Sequence, residues 1–161
     1  IEVIESEAPF RFLQKELLTD SGGAGARRGG LAQVMRLQTL GAEPVTISAM
    51  FERTRFAAQG FQGGGSGSLL EVELEGKGPL PAKRKTSLPP GSILRVRLAG
   101  GGGFGPPAER DPESVLDDIR KGLVSAEAAR RDYRVAIDPD TLRIDRETTE
   151  GLRKNPEPAG G

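Results

Sequence analysis

With 161 residues the chain has room for one core-forming domain and at most a small appendage. It contains neither Cys nor His, which removes disulfides, thiolate and imidazole metal ligands, thiol nucleophiles and every Ser-His-Asp arrangement. Lys plus Arg equal Asp plus Glu at 23 each, so no net field draws nucleic acid or an anionic membrane.

No apolar run approaches the ~20 residues of a bilayer span. Gly (23) and Pro (12) together exceed a fifth of the chain, which favours short strands and turns over a helical bundle. Phe10 and Phe12 alternate with polar residues as a half-buried strand does. A Gly-rich loop follows from Thr19 to Gly30, entered by Asp20-Ser21. Gln33 to Thr39 reads as the next strand, Gly41 to Pro44 as a turn, and Val45 to Thr54 as its antiparallel partner, making a hairpin. A second Gly-rich loop covers Gly60 to Gly67.

Leu70, Val72 and Leu74 alternate strictly with Glu71, Glu73 and Glu75, which predicts one buried face and one acidic, wet face. Pro79 to Pro90 reads as an irregular connection carrying Lys83-Arg84-Lys85. Ile93 to Leu98 alternates in the same way, with Arg95 and Arg97 on its outer face. Those two cations are expected to pair across the sheet with the acidic face of the preceding strand.

A third Gly-rich loop, Gly100 to Gly105, ends in Pro106-Pro107, and the periodicity then changes to that of a helix. Asp111-Pro112 is an N-cap followed by Pro at the first helical position, and Gly122 is placed to stop that helix. Val115, Leu116, Ile119 and Leu123 mark its buried side. Ser125 caps a second helix over Ala126 to Tyr133, Val135 to Ile137 reads as a last strand, and Arg146 to Lys154 as a final helix. The expected class is therefore α+β. A β-rich, barrel- or sandwich-like body spans residues 1–107, a helical segment packed on it spans 108–154, and 155–161 form a disordered tail. The chain begins Ile-Glu-Val, which suggests a fragment or a processed piece.

Gly100 to Gly105 formally contains G-x-G-x-x-G after a strand. The helix that should meet a pyrophosphate does not open there, so a dinucleotide fold is excluded, and no phosphate loop is present. Two readings of the Gly-rich loops stay open. Gly supplies positive φ or close backbone approach, or successive amides form a nest for an anion. Asp20-Ser21 is either a loop cap or a polar pair reaching a substrate. Arg27-Arg28 and Lys83 to Lys85 are either solvated surface or phosphate-facing clusters. Aromatics at 4% leave no stacking platform for single-stranded nucleic acid.

These motifs occur in an order that resembles one family. Asp20-Ser21-Gly22-Gly23-Ala24-Gly25, Arg28-Gly29-Gly30-Leu31, Gly63-Gly64-Gly65 and Gly100-Gly101-Gly102-Gly103-Phe104-Gly105 are followed by Arg110-Asp111-Pro112-Glu113, Gly122-Leu123-Val124-Ser125 and Ala128 to Tyr133. Together they resemble the C-terminal part of the hydantoinase B/oxoprolinase family. The resemblance implies a subunit, or part of one, of ATP-dependent enzymes that open cyclic amides such as 5-oxoproline and hydantoins, or the equivalent piece of an acetone carboxylase-type subunit.

It further implies a hydantoinase A-type partner, the N-terminal remainder of the B-type subunit, a small-molecule substrate and a cytoplasmic setting. Neither nucleic acid nor membrane is an expected partner. The isolated chain is expected to be inactive and to bind no cofactor or metal alone, ATP and a divalent metal belonging to the complete enzyme. The polar contacts assigned on this basis are Asp20, Ser21 and Arg28, with backbone contacts at Gly22, Gly23, Gly100, Gly101, Gly102 and Gly103; catalytic residues are not assigned. The rival reading is a noncatalytic binding or structural module. Two departures stand out: Pro106 where the family has Asp, and Arg134 where it has Gly, which disfavours a positive-φ turn after Tyr133.

Overall fold

A computed structural model of the chain describes residues 1–154; the expected tail lies outside them. Nine strands and four α-helices follow one another along the described chain: α1 (Glu2–Glu7), β1 (Phe10–Leu17), β2 (Gln33–Thr39), β3 (Val45–Ser48), β4 (Glu71–Leu74), β5 (Gly78–Pro79), β6 (Lys85–Leu88), β7 (Ile93–Arg97), α2 (Pro112–Arg120), α3 (Ala126–Tyr133), β8 (Ile137–Asp138), β9 (Arg143–Ile144) and α4 (Arg146–Lys154). β1, β2, β7, β4 and β5 form one antiparallel sheet in that order, while β3 pairs with β6 and β8 with β9.

Alternation decides which face of the large sheet is dry. Val72, Leu74, Leu94 and Val96 point inward and cluster with Leu88 and Ile47 of the β3–β6 ribbon, which lies over that face as a second layer. Leu88 is fully buried, a burial worth about 1.5–3 kcal/mol for such a side chain. The opposite face is laced by cross-strand ion pairs, Arg97 to Glu71 at 2.9 Å and Arg95 to Glu73 at 3.1 Å, as the alternation predicts. Arg36 of β2 adds a two-pronged contact to Glu75, at 2.6 and 2.9 Å, whose hydrogen bonds hold the Glu75 carboxyl below its usual range.

The body is an open sheet, with β1 and β5 as its outer strands and the β3–β6 ribbon over one face, so of the two expected shapes the closed barrel is not seen among the described residues. Three expectations are corrected by the structure, two of them in the sheets. β2 and β3 do not form a hairpin, because β1 and β7 already occupy both edges of β2; the turn at 41–44 instead leads the chain into the second layer. The connection from Pro79 to Pro90 contains the ordered strand β6, which pairs with β3 inside the proline-free stretch between Pro81 and Pro89, where every residue keeps an amide to donate.

The helix α1 has no counterpart among the sequence expectations, yet it has a clear task. β1 is bulged between Phe12 and Gln14, and the Glu5 carboxylate accepts the Phe12 amide at 2.6 Å, so the sheet edge is blunted where it would otherwise present a free donor.

The caps match their residues. Asp111 accepts the Ser114 amide at 3.1 Å and Ser125 accepts the Ala128 amide at 3.0 Å. Val115, Val124, Ala128, Ala129, Tyr133 and Val135 form a second core between α2 and α3, against which Ala24 also packs. Arg134 corrects the third expectation. It closes α3 in the left-handed region, at φ 55 and ψ 42, where the side chain costs about 1 kcal/mol relative to Gly. The Val135 amide donating to Ala129 O (3.0 Å) and the burial of Val135 outweigh that strain.

Candidate functional site

The three Gly-rich segments leave the large sheet at one end, where β1 and β7 finish and β2 and β4 begin. There they close on one another. Residues 100–105 run through the centre. The Gly100 and Gly103 amides donate to Ser68 O (3.1 Å) and Gly65 O (2.9 Å), and the Gly101 and Phe104 amides donate to Gly30 O and Arg27 O, both at 2.9 Å. In return Gly101 O accepts from Gly23 (2.8 Å) and Gly103 O from Phe61 (2.9 Å). The central segment thus meets four neighbours, whereas a sheet strand meets two. Donors three residues apart serve the same neighbour, the repeat of a polyproline-II-type helix, which makes no hydrogen bonds within itself.

Only glycine permits this packing. A Cβ on Gly100 would lie 1.9 Å from Ser21 O, on Gly102 2.1 Å from Gln59 O, on Gly103 2.1 Å from Ala24 O and on Gly23 2.1 Å from Gly65 O. None of these four has positive φ. Of the two structural readings, close approach therefore governs them, not left-handed backbone.

The residues singled out from the sequence are brought together in this bundle. Ser21 is buried, donates to Leu18 O and accepts the Ala32 amide at 2.8 Å. Exposed Asp20 (φ 61) accepts the Ser125 amide at 2.8 Å, while its own amide donates to Leu123 O at 3.2 Å, tying the loop to the α2–α3 turn. Gly22 backs onto Gly29, where a Cβ would sit 2.3 Å from the carbonyl oxygen. Amides in a nest converge on open space; those of Gly23, Gly100, Gly101 and Gly103 are directed at neighbouring carbonyls.

Arg28 points to the helical segment. Its Nε donates to Asp118 Oδ2 at 3.2 Å and its Nη1 to Gly29 O at 2.8 Å. Arg110 donates to the same carboxylate oxygen at 2.8 Å and to Ala26 O at 3.3 Å. The three side chains are 17%, 8% and 16% exposed for Arg28, Asp118 and Arg110, so this is a nearly buried clamp of two guanidiniums on one carboxylate. Tyr133 lies within the field of both arginines. Burial raises its pKa, against the lowering influence of the two cations. Arg153 donates to Arg110 O at 2.7 Å from α4, and burial lowers its own pKa.

Asp118 was not singled out from sequence, and Arg110 was noted only within a family motif, with no site role. A signal existed: Asp118 sits three residues after Val115, on the apolar face of α2, where a carboxylate requires a partner. Among the described residues no group of three or more His, Cys, Asp or Glu is placed to hold a metal ion. The polar centre of the clamp carries excess positive charge. The clamp therefore does not fit a metal cation.

The hydantoinase B/oxoprolinase family model matches residues 1–107, which contain all three glycine segments. The chain belongs to the hydantoinase B/oxoprolinase family. It is 38% identical over 158 residues to an uncharacterized protein of Methanocaldococcus jannaschii, a match covering 95% of this chain and 28% of the relative. It is 34% identical over 160 residues to a Pseudomonas sp. protein provisionally named as the B-type subunit of a D-/L-hydantoinase, covering 96% of this chain and 26% of that one. The crystal structure of the ATP-dependent caprolactamase from Pseudomonas jessenii superposes with a TM-score of 0.77 at 28% identity, over 96% of this chain and 28% of the other. The chain thus spans about a quarter of the length of these relatives. No helix among its described residues is long and apolar enough to cross a membrane.

Proposed function

We propose that this polypeptide supplies the C-terminal framework of a cytoplasmic B-type subunit in an ATP-dependent enzyme that opens cyclic amides of the 5-oxoproline or hydantoin class. The observation that carries this reading is the closure of three glycine segments, in the family's order, into one backbone-packed body within the matched residues. Such a body is stiff, because each segment is held by several neighbours and none can move without breaking their hydrogen bonds. It suits the wall of a shared site or a subunit interface, where shape has to be held to a fraction of an ångström.

In that role Gly22, Gly23 and Gly100 to Gly103 present backbone, Ser21 and Arg28 hold the loops from inside, and exposed Asp20 stands at the rim. Chemistry at the ring carbonyl, nucleotide and metal belong to a hydantoinase A-type partner and to the part of the B-type chain not spanned here. The body at 1–107 and the helical segment at 108–154 act as one unit through the Arg28–Asp118–Arg110 clamp.

Co-expression with an A-type subunit and the remaining B-type segment tests the assignment. ATP-dependent opening of 5-oxoproline, a hydantoin or a lactam is expected from the assembled complex and from no component alone. Ring opening by the isolated chain with nucleotide and magnesium would overturn it. A complex that turns over equally well without this chain would favour the noncatalytic module instead.

A further inference from the structure

The far end of the glycine bundle, away from the sheet, carries an aromatic tip. The backbone contacts at Gly23, Gly64, Gly102 and Gly103 leave no room for a side chain between the segments, and at this end the exposed residues are Phe61, Phe104 and Pro106 beside Arg27. Phe61 and Phe104 are 66% and 44% exposed, with ring centroids 6.0 Å apart and planes tilted by 40°. Their backbones are fixed from both sides. The Gly105 amide donates to Phe61 O at 2.9 Å, and Arg27 and Phe104 exchange amide and carbonyl at 2.9 Å each way. Among the described residues Arg27 makes no ion pair, and it too is exposed.

All three segments converge here, so the two rings are presented rigidly rather than on a loose loop. Exposed aromatic pairs on rigid backbone bind at little ordering cost, the property of interface anchors. The chain holds only six Phe and one Tyr, and two of those rings stand together in solvent. In the relatives about three quarters of the polypeptide lies outside the part that this chain spans.

We infer that the Phe61–Phe104 tip is the seat of that remaining B-type segment, docking through apolar side chains around the two rings and a carboxylate opposite Arg27. The inference rests on the reading under Proposed function and locates its interface.

The test pairs the full chain with the co-expressed remaining segment of the Pseudomonas hydantoinase B-type relative, captured as a complex and probed by hydroxyl-radical footprinting. Oxidation of Phe61 and Phe104 is expected to fall at least about fivefold on complex formation, while Phe56, which is 83% exposed elsewhere, reacts as before. The double variant Phe61→Ser, Phe104→Ser is expected to weaken capture by about 30-fold or more, with the far-UV spectrum of the free chain unchanged. A complex in which both rings stay as reactive as in the free chain overturns the tip assignment and leaves the proposed function standing. Failure to form any complex overturns both. Protection of the rings on concentrating the chain alone would make a second copy the occupant, which also overturns the inference.

Discussion

Gly103→Ala is expected to unfold the chain or cost about 4 kcal/mol or more, whereas Gly30→Ala is expected to change stability by less than about 1 kcal/mol. Both replace a glycine by the smallest side chain in the same Gly-rich part of the molecule, so composition alone predicts equal effects. Geometry separates them. The new methyl at 103 would lie 2.1 Å from Ala24 O and 2.6 Å from Gly23 O, and both contacts are backbone, which cannot swing aside. Relief requires moving residues 100–105 away from the loop at 21–25, and that breaks the hydrogen bond from Gly23 to Gly101 along with its neighbours. At Gly30 nothing lies within 4 Å of the added carbon and φ is not positive. Urea denaturation of the two variants beside the parent reads the difference directly.

Asp118→Ala is expected to lose about 3 kcal/mol or more, close to the loss from breaking a buried ion pair by removing one partner. The carboxylate is 8% exposed and is shared by Arg28 and Arg110, so its removal leaves two guanidiniums facing each other without a counter-charge. The consequence reaches both halves of the molecule, because Arg28 comes from a glycine loop and Arg110 and Asp118 from the segment leading through α2. The comparison is Arg131→Ala. Arg131 also makes a two-pronged contact, to Asp132, but its side chain is 70% exposed and water screens the pair. Its loss is expected to stay within about 0.5 kcal/mol. Thermal unfolding of both variants at one salt concentration provides the check; similar losses would mean that the clamp is not buried in solution.

How legible these features were depended on whether their causes were local. Strict alternation at Leu70 to Glu75 and Ile93 to Leu98 located two strands and set an acidic face against a cationic one, because pleating alone sets which side chains share a face; the register that puts Glu71 opposite Arg97 and Glu73 opposite Arg95 is visible only in the structure. Asp111, Ser125 and Gly122 marked helix ends for equally local reasons, their caps acting within three or four residues. The pairing of β3 with β6 was not legible: it depends on β2 having no free edge, a property of strands whose paired residues lie 16 to 63 positions away.

The glycine segments fell between these cases. Close backbone approach was one of the two readings that their composition offered, yet a run such as Gly100 to Gly103 names no neighbour. The neighbours are loops about 30 to 80 residues distant, and only the three-residue repeat of the hydrogen bonds reveals the helix type. Arg28 was picked out as a polar contact, but its partner lies 90 residues along the chain, on a helix face that otherwise reads as apolar.

Amide hydrogen exchange at Gly23, Gly101, Gly103 and Gly105 is the most direct examination of whether these segments form a rigid body. Their protection is expected to match that of Met35 and Val96 at the centre of the sheet, since all four donate to fixed carbonyls of neighbouring segments. Exchange at the rate of an unstructured peptide would show them to be ordinary flexible loops, and the account of this chain as a glycine-packed framework would fail.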